Sequence, residues 1–341
     1  MMSTLAFAAR RRSRPFSSSV LLVVSLAVLA VGVSFAGAAS ALSFTNLIVF
    51  GDSIVDQGNT QAAVTSIGFP DPAPASAGYY GGRFTNGINP ADVLNQEIEG
   101  TNSVGSLFGG DNYAFGGARA RNNGDLLPDL AAQVANYRSK PPGPPQMPST
   151  LFMINIGGND VRDIVLGNLV GAARQAIIDG AVAAVQSSIQ SLQLAGAQNI
   201  LFVGIGNVGG IPEMYTLGAP AVVAGRQASL DMNAAIQAAL PSNVTFFDTV
   251  ALTDQVLTNP ALFGLPAGLN TTTACLAAGA APPGGAPTCN DYAFFDTVHP
   301  TTQVQQILGA QLIAVVPEPG TAILLMGGLV LLAAQRRRGE V

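Results

Sequence analysis

Short apolar runs alternate with longer segments of helical periodicity along most of this 341-residue chain. Each apolar run is bounded by turn-forming residues, which is typical of buried strands. We predict strands at residues 47–50, 111–115, 151–156, 200–205 and 244–248, and helices at residues 127–138, 168–194, 219–239 and 301–314. This alternation predicts an α/β domain with a parallel sheet.

One proline-rich segment, SKPPGPPQMPS at residues 139–149, interrupts the pattern. Proline lacks a backbone donor and fixes φ, so this segment is predicted to be a surface loop and not a helix. Strands and helices continue to alternate after it, which favours a single domain over residues 42–315. Hydrophobic residues make up 48% of the chain and charged residues only 10%, enough apolar material for a sizeable core.

The first 41 residues have the order of an export signal. Four arginines at positions 10, 11, 12 and 14 precede an apolar run at residues 20–33, and small residues follow up to Ala39-Ser40-Ala41. We interpret residues 1–41 as a signal peptide that is removed from the mature protein. A retained membrane anchor is the competing interpretation, which the short run and the A-x-A pattern disfavour.

The other end of the chain is also unusual. Pro317-Glu318-Pro319 precedes an apolar stretch at residues 322–334, and Arg336-Arg337-Arg338 follows it. Residues 316–341 therefore resemble the PEP-CTERM sorting signal, which implies an exosortase partner and a Gram-negative bacterium. By this resemblance the apolar stretch anchors the exported protein transiently in the inner membrane, before it reaches the periplasm, the outer surface or the extracellular matrix. An ordinary C-terminal core helix is the alternative, but it does not explain the arginine cluster.

Charge and cysteine content exclude other classes of function. Without the four arginines of the leader, 11 basic residues face 20 acidic ones, so a nucleic-acid partner is not expected. The two cysteines, Cys275 and Cys289, are expected to form a disulfide in an oxidising compartment, which would contribute about 3 kcal/mol. A reactive thiol is the weaker alternative. Two cysteines and one histidine cannot fill a closed tetrahedral site, so we predict no metal and no cofactor.

A serine directly follows the first predicted strand, in the sequence VFGDSIVDQGN at residues 49–59. In an open α/β sheet this position faces the crevice at the carboxyl ends of the strands, where ligands bind. Ser53 is thus a candidate nucleophile. It is also a candidate helix N-cap, and this fragment alone does not separate the two roles.

The only histidine of the chain, His299, stands three residues after Asp296 in FDTVHP, just before the last predicted helix. A carboxylate at this spacing can fix the tautomer of the imidazole, whose other nitrogen then takes a proton from a hydroxyl. A lone histidine is more often structural. A serine nucleophile needs a base, however, and this is the one imidazole available.

Two further segments offer hydrogen-bond donors after predicted strands. Asn159, in IGGND at residues 156–160, has a side-chain amide that can donate to an oxyanion. The segment NYAFGGA at residues 112–118 has backbone N–H groups that its glycines leave unshielded. Either string can also be an ordinary turn.

In the order in which they occur along the chain, the four segments resemble those of the GDSL, or SGNH, hydrolases. The resemblance extends over roughly residues 47–311, with GRFTNG at residues 82–87 as a further match. This resemblance implies a three-layer α/β/α sandwich, flavodoxin-like, with a five-stranded and mostly parallel sheet. It implies that Ser53, Asp296 and His299 form a catalytic triad, and that the backbone of Ser53, a glycine and Asn159 form an oxyanion hole. Gly117 fits the spacing from Asn112 better than Gly116 does.

The match departs from the family in two places. The fourth sequence block of the family is poorly defined, and residues 271–290 resemble an insertion. Neither departure affects a motif residue. We interpret Arg83 and Asp160 as mainly structural, with contact to substrate as the alternative for Arg83.

By the resemblance, the chain is an exported hydrolase of carboxylic esters, an esterase, lipase or acetylesterase that forms an acyl-enzyme on Ser53. Its substrate is then a lipid, a small ester or an acetylated polysaccharide. The alternative is a non-catalytic protein of the cell surface or exopolysaccharide matrix that uses the same fold for binding. A binding protein has no need of the Ser, Gly, Asn, Asp and His set together, which favours the enzyme.

Overall fold

Four strands, nine α-helices and several short 3₁₀ turns make up the part of the chain that the computed structural model describes, residues 44–140, 147–279 and 288–316. The strands are β1 (Asn46–Gly51), β2 (Thr150–Asn155), β3 (Asn199–Val203) and β4 (Val244–Phe247). The helices are α1 (Asn59–Ser66), α2 (Pro90–Glu99), α3 (Leu130–Ser139), α4 (Gly158–Leu166), α5 (Gly171–Leu194), α6 (Pro212–Leu217), α7 (Ala219–Ala239), α8 (Thr249–Thr258) and α9 (Thr302–Val315).

The four strands form one parallel sheet in the order β1-β2-β3-β4. A single row crosses it from Val49 to Met153, then to Leu201 and Thr245. Since parallel neighbours need a crossover connection, the segments between the strands carry the helices. All four carboxyl ends consequently lie along the same edge of the sheet.

Helices cover both faces of this sheet. Side chains alternate between the faces along each strand, so Phe50 packs with the helices α3, α5 and α7, and Val49 packs with α2 and α9. Burial on both sides explains why β1, β2 and β3 appear in the sequence as nearly uninterrupted apolar runs, whereas the edge strand β4 is only partly buried. The predicted three-layer α/β/α sandwich with a parallel sheet is confirmed.

The prediction of a fifth strand was wrong. Residues 111–115 run beside β1, where Tyr113 N–H donates to the carbonyl of Val49 at 2.7 Å, but they make only one bridge to β1, between Val49 and Asn112. The side chain of Gln133 on α3 accepts from the N–H of Gly51 and donates to its carbonyl, both at 2.8 Å. The next bridge between β1 and residues 111–115 would need the N–H of Gly51, which already donates to Gln133. No further bridge therefore forms.

The four predicted helices are present as α3, α5, α7 and α9, each beginning within about three residues of its predicted start. The other five helices were not predicted. For α2 the signals lie at its first turn: Asn89 is the N-cap, Pro90 is the first helical residue and Asp92 completes a capping box. Such local signals without a long apolar period were overlooked.

Both predicted targeting segments lie outside the described residues, apart from Val316, which is the C-cap residue of α9. Among the residues that the structure describes, no helix combines the length and the apolar character needed to cross a bilayer.

Candidate active site

Ser53 lies in the tight turn that leaves the carboxyl end of β1. The turn is held by the N–H of Asp52, which donates to the carbonyl of Asn155 at the end of β2, and by the carboxylate of Asp52, which accepts from Ile54 N–H. A Cβ at Gly51 would lie 2.4 Å from that same carbonyl of Asn155, so only glycine fits there. The turn leaves the Ser53 side chain partly exposed at the edge of the sheet.

Asp296 and His299 meet through a local turn. Oδ1 of Asp296 accepts from the backbone N–H groups of Val298 and His299, both at 2.8 Å, an arrangement typical of aspartate at the start of a turn. Oδ2 then lies 2.7 Å from Nδ1 of the His299 ring. The carboxylate therefore favours the tautomer that carries its proton on Nδ1.

The other ring nitrogen reaches the serine. Nε2 of His299 lies 2.7 Å from Oγ of Ser53, across 246 positions of sequence. With the proton on Nδ1, the serine hydroxyl donates to Nε2. The structure thus brings the three predicted residues into one row of hydrogen bonds, in the order hydroxyl, imidazole, carboxylate, which is the arrangement that nucleophilic catalysis by serine requires.

The carboxylate of Asp296 is held in its ionised form. Burial alone would raise the pKa of this group, but the neighbouring imidazole of His299 and the backbone donors outweigh burial and lower it to about 2. Tyr79 contributes a further partner, since its hydroxyl donates to Oδ2 at 2.9 Å. Burial and the adjacent carboxylate both raise the pKa of Tyr79, so its hydroxyl remains a donor at neutral pH.

Among the described residues, the backbone N–H groups of Ser53 and Gly117 donate to no protein acceptor. By contrast, the N–H of Gly116 donates to the buried carboxylate of Asp56 at 2.9 Å. Asn159 lies at the start of α4, and its amide nitrogen donates one hydrogen to the carbonyl of Ala118 at 2.9 Å. The second amide hydrogen has no acceptor within the described part of the chain.

Comparison with known protein families identifies two matches in this chain. A model of the GDSL-like lipases and acylhydrolases matches residues 47–312, most of the chain. The chain belongs to the GDSL family. A model of the PEP-CTERM protein-sorting motif also matches, at residues 315–338. The first match covers every residue of the row described above, and the second covers residues 316–338 of the predicted C-terminal sorting segment.

Individual relatives are distant. A GDSL esterase/lipase of Arabidopsis thaliana, LTL1, is 25% identical over 323 residues, covering 78% of this chain and 85% of that protein. An uncharacterized protein from the trpE-trpG intergenic region of Pseudomonas putida is 28% identical over 338 residues, covering 89% of this chain. The chain spans 54% of the length of the Pseudomonas relative. Among solved structures, an acetylxylan esterase mutant from Geobacillus stearothermophilus is 17% identical with a TM-score of 0.43, covering 81% of this chain and 94% of that one.

Asp56, which the sequence quoted above contains three residues after Ser53, has a structural role in the GDSL motif. Its buried carboxylate accepts from the backbone N–H groups of Gly58, Asn59, Thr60 and Gly116. One side chain thereby joins the loop after the nucleophile to the glycine pair of the second segment. Burial raises the pKa of Asp56, and hydrogen bonds from the Thr60 side chain and from the backbone N–H groups of Gly116, Thr60 and Asn59 oppose that rise.

The GRFTNG segment supplies a ring and not a charge to the GDSL site. Phe84 packs against His299 with 5.1 Å between ring centroids, and a Cβ at Gly116 would lie 2.3 Å from the Phe84 ring. Arg83 instead pairs with Asp92 of α2 through two hydrogen bonds, at 2.7 and 2.9 Å, and both side chains are buried. This geometry agrees with the structural interpretation of Arg83.

Asp160 likewise has only structural partners in this geometry. Its carboxylate accepts from the backbone N–H of Ala120 at 2.7 Å and lies 3.3 Å from the guanidinium of Arg121. Burial raises its pKa to about 7, more than these partners lower it. The residue therefore anchors the loop before α3 to the first turn of α4.

Sequence reasoning missed a set of residues that hold Asn159 in place. Arg162, one turn along α4, donates to the amide oxygen of Asn159 at 3.1 Å, which directs the amide nitrogen away from Arg162. Glu213 in turn accepts two hydrogen bonds from Arg162, both at 2.8 Å, and its backbone N–H donates to Thr297 within the turn that carries His299. Only the i, i+3 spacing of Asn159 and Arg162 on a helix was visible in the sequence.

Cys275 and Cys289 are joined as a disulfide, with Cα atoms 5.6 Å apart. The bridge packs with Phe295, the residue that precedes Asp296, and the ring of Tyr79 contacts Phe295 edge-on at 4.9 Å. The described part of the predicted insertion thus packs through the disulfide against Phe295, next to the carboxylate of Asp296.

Proposed function

We propose that this protein is an exported serine hydrolase that cleaves carboxylic esters through an acyl-enzyme on Ser53. The observation that carries the proposal is the row of two 2.7 Å contacts, from Ser53 Oγ to His299 Nε2 and from His299 Nδ1 to Asp296 Oδ2. Membership of the GDSL-like lipase/acylhydrolase family supports the choice of esters as substrates.

In the first half of the reaction, Oγ of Ser53 attacks the ester carbonyl carbon while its proton moves to Nε2 of His299. The Oγ–C bond forms as the π electrons of the carbonyl move to oxygen, which gives a tetrahedral oxyanion. This intermediate collapses when its C–O bond to the alcohol breaks, and the leaving oxygen takes the proton from Nε2. The ionised carboxylate of Asp296 stabilises the imidazolium that exists between these two proton transfers.

Three N–H groups are proposed to bind the oxyanion: the backbone donors of Ser53 and Gly117 and the side-chain amide of Asn159. Each is uncommitted, or partly so, among the described residues, whereas the N–H of Gly116 is engaged by Asp56. That difference favours Gly117 over Gly116. One such donor typically contributes about 3 kcal/mol to the stability of the transition state.

In the second half, water replaces the alcohol. His299 takes a proton from the water as its oxygen attacks the acyl carbon, the oxyanion forms again, and its collapse returns the electron pair and the proton to Ser53. The products are a carboxylic acid and the free enzyme. The ester and water supply every atom of the alcohol and the acid, and Ser53 and His299 return to their starting protonation states.

The targeting segments support an exported location in a Gram-negative bacterium. The leader at residues 1–41 has the order of a signal peptide, and the PEP-CTERM match contains the Pro317-Glu318-Pro319 motif and the terminal arginines that an exosortase is proposed to read. The apolar stretch between them is proposed to hold the protein at the inner membrane before processing. Cell fractionation tests this: a variant without residues 1–41 is expected in the cytoplasm, and export of that variant would contradict the proposal.

Activity against p-nitrophenyl acetate tests the chemistry. Ser53→Ala and His299→Ala are each expected to lower kcat by at least about 10⁴-fold, because residues of a triad act as a unit. Ser76→Ala is the matched control, since Ser76 is an exposed serine far from this row in sequence. Circular dichroism establishes that each variant is folded.

Labelling by a fluorophosphonate separates an enzyme from a binding protein on the same fold. The probe is expected to modify Ser53 in the wild type and in Ser76→Ala, but not in Ser53→Ala, because only an activated hydroxyl attacks it. Retained hydrolysis in Ser53→Ala would refute the assignment of the nucleophile. Absence of both labelling and hydrolysis in the folded wild type would favour the binding protein.

A further inference from the structure

A cavity of about 140 Å³ opens beside Ser53, at the carboxyl ends of the strands. The residues that follow β2 and β3 form one side of it, and the helices α8 and α9 form the other. Ser53 and Asn159 both line this cavity, so it begins where the carbonyl carbon and the oxyanion of an ester would lie.

The cavity wall is mainly aliphatic. Its apolar side chains come from both sides and include Ile205, Val208, Leu252, Val256, Val304 and Leu308. Binding of methylene groups against such a wall is favourable, because apolar surface is removed from water. The wall offers few hydrogen-bonding groups to a hydroxylated ligand.

Two amide side chains of the cavity lining, Asn155 and Gln305, direct their donors into the protein. The amide nitrogen of Asn155 donates to the carbonyl of Val203, and the amide nitrogen of Gln305 donates to the carbonyl of Pro300. Both amide oxygens lack a partner among the described residues, yet each is buried beneath its neighbours. These two side chains consequently present almost no hydrogen-bonding surface to an occupant.

We infer that this cavity binds the acyl chain of the substrate and that it fits a chain of about four to eight carbons. The inference rests on the proposed function, since Ser53 must hold the acyl carbon at the mouth of the cavity. The substrate class is therefore an ester of a short- or medium-chain fatty acid, and neither an acetate nor a long-chain lipid is the preferred substrate.

The volume sets the chain length. An apolar cavity of about 150 Å³ in another protein holds one benzene molecule, so about 140 Å³ has room for roughly six carbons. An acetyl group leaves most of the wall uncovered. A chain longer than about eight carbons extends beyond the wall into solvent, where further methylene groups add nothing.

The gain for each buried methylene group determines the expected profile. About 0.8 kcal/mol for each group corresponds to about fourfold in kcat/KM. From acetate to hexanoate, four methylene groups are added, so the ratio is expected to rise by a factor of the order of 100. Between octanoate and palmitate no further rise is expected.

Two wall substitutions test the placement of the chain. Leu252→Phe and Val304→Phe each add bulk at partly exposed wall positions, one on either helix. They are expected to lower kcat/KM for p-nitrophenyl hexanoate at least tenfold while the value for acetate changes less than threefold. Leu262→Phe is the matched control, because Leu262 is 78% exposed and does not line the cavity.

A third wall variant, with a smaller side chain, keeps the test informative if the larger residues unfold the protein. Leu252→Ala enlarges the cavity and is expected to move the preferred chain length upward by about one or two carbons. A profile that is highest at acetate, or one that the three wall variants leave unchanged, would overturn the inference. If acetate hydrolysis itself does not depend on Ser53, the proposed function fails instead, and the two failures are thus distinguishable.

Discussion

The buried carboxylate of Asp52 makes the stability of the fold depend on pH in a predictable direction. Its side chain lies under the turn that carries Ser53, with a residue exposure of 5% and a single backbone donor, the N–H of Ile54. Burial raises its pKa from 3.8 to about 6, although that donor and the charges of His299 and Arg162 partly oppose the rise. We predict that Asp52→Asn, which keeps the shape and removes the titration, stabilises the protein at neutral and alkaline pH.

The magnitude follows from linkage. Because the folded state binds this proton more tightly than the unfolded state does, the stability associated with it is fully present below about pH 3.8 and is lost as the pH rises through about 6. The total loss is about 3 kcal/mol by the time both forms are ionised. Since about 1 kcal/mol is already lost at about pH 4.5, the advantage of the variant is expected to widen by about 2 kcal/mol between about pH 4.5 and about pH 8.

Urea unfolding of both proteins across this range, followed by circular dichroism, measures the free-energy difference at each pH. Titrating groups that do not interact with Asp52, such as Asp160, are common to both proteins and cancel in the difference. Asp291→Asn, at an exposed carboxylate, controls for the loss of one negative charge. A difference between Asp52→Asn and the wild type that stays constant, or narrows with rising pH, would refute the reasoning.

Two further predictions concern the support of the carboxylate of Asp296. Tyr79→Phe removes the hydroxyl that donates to Asp296 but keeps the ring on Phe295, so kcat for ester hydrolysis is expected to fall about three- to tenfold with KM unchanged; an unchanged kcat would show that the hydroxyl is dispensable. Replacing Cys275 and Cys289 together by alanine opens a loop with a sequence separation of 14 and is expected to cost about 3 kcal/mol in urea unfolding. Equal stability of this double variant and the oxidised wild type would contradict that expectation.

Features that depend on neighbours in sequence were predictable. The strands β1 to β3 are nearly continuous apolar runs because both faces of the sheet are covered there, and the longest helices have enough turns to show in the pattern. The contact between Asp296 and His299 is also local, because a single turn closed by backbone hydrogen bonds brings the two side chains together. Motif order then indicated the family.

Contacts between distant segments were not predictable. Gln133 ends the ladder beside β1 by binding Gly51 across 82 positions, and Tyr79 reaches Asp296 across 217. Neither residue type at its position carries a local signal of that role. The choice between Gly116 and Gly117 is of the same kind, because it depends on which N–H the carboxylate of Asp56 engages.

By itself the amino-acid sequence determined the class of fold, the family and the residues that we propose for the chemistry, because apolar periodicity and short motifs are properties of neighbouring residues. Tertiary structure alone decided how many strands pair, which side chains hold Asp296 and Asn159, and the size of the cavity beside Ser53. Each of these depends on the positions at which distant elements pack. The volume of a cavity, for example, is set by several elements together and cannot be read from the sequence of any one of them.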